Sequence, residues 1–453
     1  MDSLDNFRER FAASEQPTEP LQPQPYMGAR WRCWGRYPWR GAAVTVLGLA
    51  LALPHLAQAK TLYCDAGDVK CLIDAIHEAN ANGETNTIRL QAGTYTLTAV
   101  NNRGFSDAAG LPVITSTLTI TGYGAETTII ERDTNAPFFR ILHVAETGNL
   151  TLKRLTLRNG DAGGSACGGI TNLGALALIH SIMADHFSVH FGGGLCNFSG
   201  TVVITNTTFS NNLADGSSVL FNTGTITVTD SAFTDNLSSG TGFGSIENLG
   251  LLVITNSTFA QNAVRSLSGA PAGVAIGNVG TLLLTNSTLA DNRLLPSLGG
   301  SLSRGGALYS ASGATTLLLN TLLARNTGSI EEGTDCFGVV TSLGNNLIGD
   351  PTGCTITLHP TTDLTGDPGL GLFTDNGRPG NGHFPLRPTS QAIDAGSDAF
   401  YPVRDQLGQR RGNIRGVGAS RCDIGAIEFP GKHDRPQDED DDHHDKDLAA
   451  AAQ

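Results

Sequence analysis

The segment VVITNTTFSNN, Val202 to Asn212, alternates apolar and polar residues as a half-buried strand does, but the alternation slips phase midway. Val202 and Ile204 keep one phase, Thr207 and Phe209 the other. In a flat strand this slip would turn Phe209 to the opposite face. The phrase returns as TITVTDSAFTDN around Asp230, LLVITNSTFAQN around Asn256 and TLLLTNSTLADN around Asn286. Looser copies are LALIHSIMADH around His180, TTLLLNTLLARN around Asn320 and LTLKRLTLRN around Lys153. Marker positions 153, 180, 206, 230, 256, 286 and 320 are spaced 27, 26, 24, 26, 30 and 34 residues apart. Such a period, with insertions, belongs to a stacked array whose units bury their apolar side only against neighbours.

A parallel β-solenoid resolves the slip. If each repeat is one coil, Ile204, Val228, Ile254 and Leu284 face inward before a corner. Met183, Phe209, Phe233, Phe259, Leu289 and Leu323 face inward after it. The corner column is His180, Asn206, Asp230, Asn256, Asn286 and Asn320. Asn and Asp tolerate left-handed backbone better than other non-glycine residues, and stacked corner amides are expected to hydrogen-bond along the axis. A second polar column, Asn172, Asn197, Asn222, Asn248 and Asn278, lies upstream, each before a short gap and a Gly. One coil then reads as three short strands separated by two corners, with a rise of about 4.8 Å. An evenly spaced β-sandwich is the alternative, but it does not require one corner residue at one place in every unit.

Gly is 56 of 453 residues and charged residues are only 16%, with a net charge of −13. That suits a turn-rich, weakly charged β protein, and the lack of a basic stripe argues against a nucleic-acid partner. Arg30, Arg32, Arg36 and Arg40 precede the apolar run GAAVTVLGLALAL, and AQA ends at Ala59. This reads as a secretory signal with the mature chain starting at Lys60. The apolar run is too short for a comfortable membrane span, and no transmembrane segment is expected in the mature chain. Met27 is a second candidate start. Export permits disulfides: Cys64 with Cys71 and Cys336 with Cys354 are the favoured pairs. Cys167 and Cys196 fit less well. Measured against Asn172 and Asn197 they are four residues out of step, about 13 Å along a strand, beyond a disulfide's reach unless a turn intervenes. Cys422 has no evident partner, and a buried apolar thiol is the alternative for each cysteine.

DVKCLIDAIHEANAN has helical period, with Leu72, Ile73, Ile76 and Ala79 on one face and Asp68 placed to cap it. Residues 60–86 are expected to cover the first coil, since an open edge invites pairing with another chain. Coils should run over 87–350. A Gly-, Pro- and Asp-rich module, 351–430, should wrap the last coil, and an acidic tail, 431–453, should be disordered; residues 1–59 are the extension and signal.

Two segments carry a resemblance. VKCLIDAIHEANANGETNTIRLQAGTYTLT resembles the amino-terminal motif of CSLREA-type secreted proteins, most closely at Ala79-Asn80 and Ala92-Gly93-Thr94-Tyr95. GDPGLGLFTDNGRPGNGHFPLRPTSQAIDAG and DQLGQRRGNIRGVGASRCDIGAIE resemble the choice-of-anchor Q domain, through Asp367, Pro368, Asp375, Asn376, Asp394, Asp405, Gln406, Arg411, Cys422, Asp423 and Glu428 among others. The related run DCFGVVTSLGNNLIGDPTGC supports the Cys336–Cys354 pair. The resemblance implies an exported, all-β, right-handed parallel β-helix of the pectin-lyase-like kind, with a short amino-terminal capping helix and a loop-rich carboxy-terminal cap.

Relatives of that fold cleave polysaccharides, and fold alone does not decide function. A hydrolase needs paired carboxylates; a calcium-dependent lyase needs clustered acids and a basic proton acceptor. Asp215, Asp230, Asp235 and Asp291 are scattered and read as structural. Arg265, Arg293, Arg304 and Arg325 read as solvated loop residues, and no Gly-His-Gly or Asn-Thr-Asp of the polygalacturonase kind is present. Asp394, Asp405, Asp423 and Glu428 could converge on a metal, but bonding to Arg411 and turn amides is favoured. His443 and His444 are read as part of a solvated tail. No catalytic residue and no cofactor is assigned; calcium is the one ion such acids would take. The expected function is a non-enzymatic β-helix, surface-displayed or released, binding a glycan, a surface or a protein in the manner of an adhesin. The alternatives are a polysaccharide lyase or hydrolase and a structural envelope or matrix component.

Overall fold

A computed structural model describes residues 59–103, 108–216, 219–240, 243–266, 273–295, 306–328, 334–358, 361–397, 402–412 and 421–430. The expected leader, the acidic tail with His443 and His444, and Arg304 lie outside these residues. The chain is a mostly β, parallel solenoid of about ten turns with one short helix near its amino terminus. Among the described residues its strands join sheets of 19, 11 and 5 strands, and every pairing between named strands is parallel. One coil shows the plan: Leu195–Asn197, then the long strand Thr201–Thr205, then Thr208–Ser210, then Leu213–Ala214. The fourth strand, which exceeds the three expected, stacks with Phe187–Ser188, Leu237–Gly240, Ala263–Ser266 and Arg293–Leu295.

The phase slip is a left-handed corner. Arg154, His180, Asn206, Asp230, Asn256, Asn286 and Asn320 all have φ between 45° and 56°. The marker Lys153 is therefore one residue early: it pairs with Ile179, and Arg154 takes the corner. The inward column runs Tyr95, Ile130, Leu157, Met183, Phe209, Phe233, Phe259, Leu289, Leu323, Ile348, one residue per coil. Phe209, Phe233 and Phe259 are fully buried and stack with centroids 4.8 and 4.6 Å apart and planes 6° off parallel.

Five residues on, a second left-handed corner closes the short strand: Asp185, Asn211, Asp235, Gln261, Asp291 and Arg325, with φ from 54° to 60°. The residue after it is a buried Asn in five successive coils. Asn212 donates from Nδ2 to Asn236 Oδ1 at 3.0 Å, Asn236 to Asn262 at 2.9 Å, Asn262 to Asn292 at 2.8 Å and Asn292 to Asn326 at 2.9 Å. Each accepting Oδ1 also takes the backbone N–H of the ladder Asn one coil earlier, as Asn236 does from Asn212 N. The ladder satisfies amides that the corners take out of the sheets, and such groups are costly to bury unpaired. It starts beneath His186, whose backbone N–H donates to Asn212, and ends on Asp335, which accepts from Asn326 Nδ2 at 2.8 Å. The upstream column forms a matching ladder from Asn172 to Asn278, with steps of 2.7–2.9 Å. The first-corner amides pair less completely, through Asn256 to Asp230 and Asn320 to Asn286.

The helix Val69–Ala81 caps the first coil. Asp68 accepts from Cys71 N at 2.8 Å. Leu72, Ala75, Ile76 and Ala79 are buried, while Ile73, expected on that face, is only partly so. Asn80 reaches the next coil, donating to Val113 O and accepting from Thr115 N. Tyr95 heads the inward column and donates to Cys64 O. Gly93 needs its φ of 158° and would press a Cβ onto Ala66. Lys60–Cys64 adds a parallel strand to Asn86–Leu90, and the Cys64–Cys71 bridge, Cα atoms 5.6 Å apart, ties it to the helix. Cys336 and Cys354 are bridged at the other end, Cα atoms also 5.6 Å apart. Cys167 and Cys196 are bridged too, against expectation, with Cα atoms 5.5 Å apart. Cys167 N donates to Phe191 O, and the chain turns through Gly192–Gly194 before Cys196, removing the expected offset.

The carboxy-terminal segment corrects a further expectation. Coil strands continue at Cys354–Thr357 and Leu364–Thr365, past residue 350, the expected end of the coils. From there the chain does not wrap the last coil but runs back along the outer face of the Thr208–Ser210 stack. Gly380 N donates to Thr208 Oγ1, Thr258 Oγ1 to Gln406 Oε1, and Ala426 N to Thr288 Oγ1. The outward residues Ala232, Ala260, Ala290 and Ala324 are small enough for backbone to approach and are buried. Arg325, expected in solvent, is instead a pin: it grips Asp291 through both carboxylate oxygens at 3.0 and 2.7 Å, donates to Leu370 O and Gly371 O, and lies 5.0 Å over the Phe384 ring.

Candidate functional site

The outer face of the long-strand stack is the feature that most needs a role. Segments 172–179, 197–205, 222–229, 248–255, 278–285 and 310–319 cover six successive coils of turn and long strand and contain no Asp, Glu, Lys or Arg. Inward positions are apolar for the core's sake; outward ones had no such constraint. They read Ala175, Ala177, Ile179; Thr201, Val203, Thr205; Thr225, Thr227, Thr229; Leu251, Val253, Thr255; Thr281, Leu283, Thr285; Thr315, Leu317, Leu319. Half are threonine and half aliphatic. Val203 and Leu251 are each 41% exposed, with Leu249 and Val279 of the adjoining turns similar. Hydroxyls pair across coils, Thr205 with Thr229 at 3.1 Å and Thr255 with Thr285 at 2.9 Å.

A second feature is a cleft of about 510 Å³ between the first-corner column and the returning segment, lined by Asn206, Asp230, Asn256, Pro379, Arg404, Asp405 and Gln406 among others. Burial pushes the Asp230 carboxyl up; the Asn256 amide opposes this and Asp405 adds to it. Asp405 is raised by burial as well, though backbone N–H groups of Leu407, Gln409 and Glu428 all point at it. The buried Arg411 binds Asn256 Oδ1, Gly425 O, Asp423 O and Glu428. Asp423 accepts from Asp394 N and Phe429 N, yet burial first and Glu428 second push its carboxyl up to about 7. These acids are thus joined by Arg411 and turn amides. Among the described residues no group of three or more His, Cys, Asp or Glu is placed to hold a metal.

The other acids stay apart. Asp235 and Asp291 occupy the second corner, and Asp215 accepts from Ser239 Oγ at 2.8 Å. Arg265 and Arg293 lie in strands of the fourth stack, not in loops. Asp335, at the ladder's end, is pushed up to about 6 by burial, and His186, at its head, down to about 3 by burial. Cys422 is a buried thiol outside the three disulfides that donates to Ser397 O and accepts from Asn320 Nδ2. Phe243, Tyr309 and Phe337, each half-buried, stack with centroids 5.4 and 6.0 Å apart. The second corner and its Asn ladder were missed in the sequence, although each phrase ends in the signal: SNN, TDN, AQN, ADN, ARN.

A family model described as a right-handed β-helix region matches residues 140–322, so the coils there are a right-handed β-helix. Among solved structures, a PL6 family alginate lyase, AlyGC, is similar at 9% identity and a TM-score of 0.32, over 76% of this chain and 59% of that one. No curated protein matches the chain. Among the described residues no helix is long and apolar enough to cross a membrane.

Proposed function

We propose that this is an exported β-helix protein of the CSLREA and choice-of-anchor Q kind, displayed or released, which binds a glycan, a surface or a protein through its long-strand face. The observation that carries this reading is six coils of rigid, accessible, uncharged surface. Such a face supplies no acid or base for bond cleavage, and its repeated rows suit many weak contacts acting together. The motif residues give the family reading physical support: Asn80, Gly93 and Tyr95 lock the cap, and Asp405, Gln406, Arg411, Asp423 and Glu428 hold the returning segment. Three disulfides agree with an oxidising destination. The test is retention of the mature chain on immobilised glycans and surface proteins. Retention should be lost in Thr227→Lys while the far-ultraviolet circular dichroism is kept; retention indifferent to a charge at that position would overturn the reading.

The cleft favours a second reading, a polysaccharide lyase or hydrolase with Asp230 as the acid. New reducing ends or unsaturated products from a polyuronate panel, abolished by Asp230→Asn, would put that reading in place of the first.

A further inference from the structure

We infer that the partner of the long-strand face is a second copy of this chain, docked face to face about a twofold axis; this rests on the binding reading above and names its partner. Several observations converge. The rows on the face repeat at the coil rise, about 4.8 Å, and a second solenoid of identical pitch has rows that stay in step with them along the whole length. A twofold contact is self-complementary, and a face half methyl-rich and half hydroxyl-bearing can seat its aliphatic rows against the methyls of the other's threonines at ordinary sheet-on-sheet spacing. Thr205 with Thr229 and Thr255 with Thr285 already satisfy one another, so these hydroxyls can be covered without losing a partner.

Charge points the same way. The whole chain carries −13, so two copies repel wherever their charged sides approach; this is a face where no like charges are brought together. The long strands are five residues each, so six coils at about 4.8 Å and about 3.3 Å per residue give roughly 480 Å² of strand face per copy; the adjoining turns, where Leu249 and Val279 are exposed, extend it toward the roughly 800 Å² per partner of a standard interface.

Sedimentation velocity of the mature chain over a range of concentrations tests this. A dimer should form as concentration rises and should strengthen with added salt, because salt screens the repulsion of two negative chains. Thr227→Lys and Val253→Glu should each move the midpoint at least tenfold to higher concentration, and an equimolar mixture of the two variants should recover association. Leu372→Lys, on the returning segment and 82% exposed in the parent, should leave the midpoint in place. A monomer at every concentration, or a dimer indifferent to both face variants, overturns the inference. If the chain is monomeric yet retention on a glycan or surface protein is lost in Thr227→Lys, the inference fails and the binding reading stands. If neither association nor retention depends on the face, both fail.

Discussion

Two neighbouring outer faces of the same coil are treated in opposite ways. On the short-strand face the outward residues are mostly small, Ala232, Ala260, Ala290 and Ala324 with Thr208, Ser210, Thr234, Thr258 and Thr288, Leu322 being the bulky exception, and the chain's own carboxy-terminal segment lies over them. Its hydroxyls are spent on that cover: Thr208 accepts from Gly380, Thr288 accepts from Ala426 and Thr258 donates to Gln406. On the long-strand face the outward residues are bulkier, Val203, Leu251, Val253, Leu283 and Leu317 among the threonines, and the hydroxyls pair with each other. Small side chains allow backbone to approach a sheet, whereas larger β-branched and aliphatic ones leave a ridged surface suited to another ridged surface. The outward residue type therefore separates a face closed from within from a face left for something else.

The largest effect should come from removing Arg411, the buried guanidinium that ties the returning segment to the coils. Arg411→Met leaves the Glu428 carboxylate buried without its guanidinium, takes a donor from the backbone carbonyls of Asp423 and Gly425 and takes a partner from Asn256. Breaking a buried pair this way costs about 3–5 kcal/mol. Limited proteolysis should then cut within 366–430 while the circular dichroism of the coils persists; a segment as resistant as the parent's would show that it is held by something other than this contact. Next is Ala260→Phe, which places a ridge on the closed face. Overpacking there should cost about 1–3 kcal/mol in urea unfolding, and an unchanged midpoint would mean that the segment lies more loosely than Ala260's burial implies.

The closed face should also show itself in pH dependence. The folded chain keeps a proton on Asp423 up to about pH 7, whereas an unfolded Asp releases it near 3.9. Between those values the folded state binds more protons, so this group makes unfolding easier as pH rises, by up to about 1.4 kcal/mol per unit. Asp335 acts in the same direction up to about pH 6. His186 acts oppositely: it is neutral when folded down to about pH 3, so its contribution is full above the unfolded value near 6.5 and is lost as pH falls below it. Urea midpoints for Asp423→Asn should fall less steeply than the parent's from pH 4 to 7. A parallel pair of curves would mean that the carboxyl is charged in the folded chain.

The solenoid itself was legible because its cause is local. Ile204 to Phe209 spans one corner, and the left-handed Asn206 at that corner keeps both inside. The second corner was not read because its occupant changes with each coil, from Asn211 to Asp235, Gln261, Asp291 and Arg325, while the constant residue is the buried Asn that follows. The Cys167–Cys196 bridge depends on a glycine turn that compresses five residues, which strand spacing along the column does not anticipate. The path of the returning segment rests on contacts such as Thr258 with Gln406, 148 residues apart, and separations of that size leave no periodic trace. The uncharged face, by contrast, is written plainly in phrases such as NTGTITVT and NVGTLLLT, but it signifies an outer surface only once the register assigns Thr227 and Leu283 to the outside.

The smallest effect on stability should belong to the open face, and it separates the two faces most directly. Thr227→Lys puts a long flexible side chain where the register points it into solvent; surface changes of this sort stay within about 0.5 kcal/mol. The same exchange at Thr258 on the closed face buries an ammonium and removes the hydroxyl donated to Gln406, which should cost several times more. Urea unfolding of the two variants side by side, at a dilution where the chain is monomeric, makes the contrast quantitative. Equal losses at both positions would mean that the long-strand face is as thoroughly packed as its neighbour, and that a lysine at 227 disrupts the monomer instead of a contact between molecules.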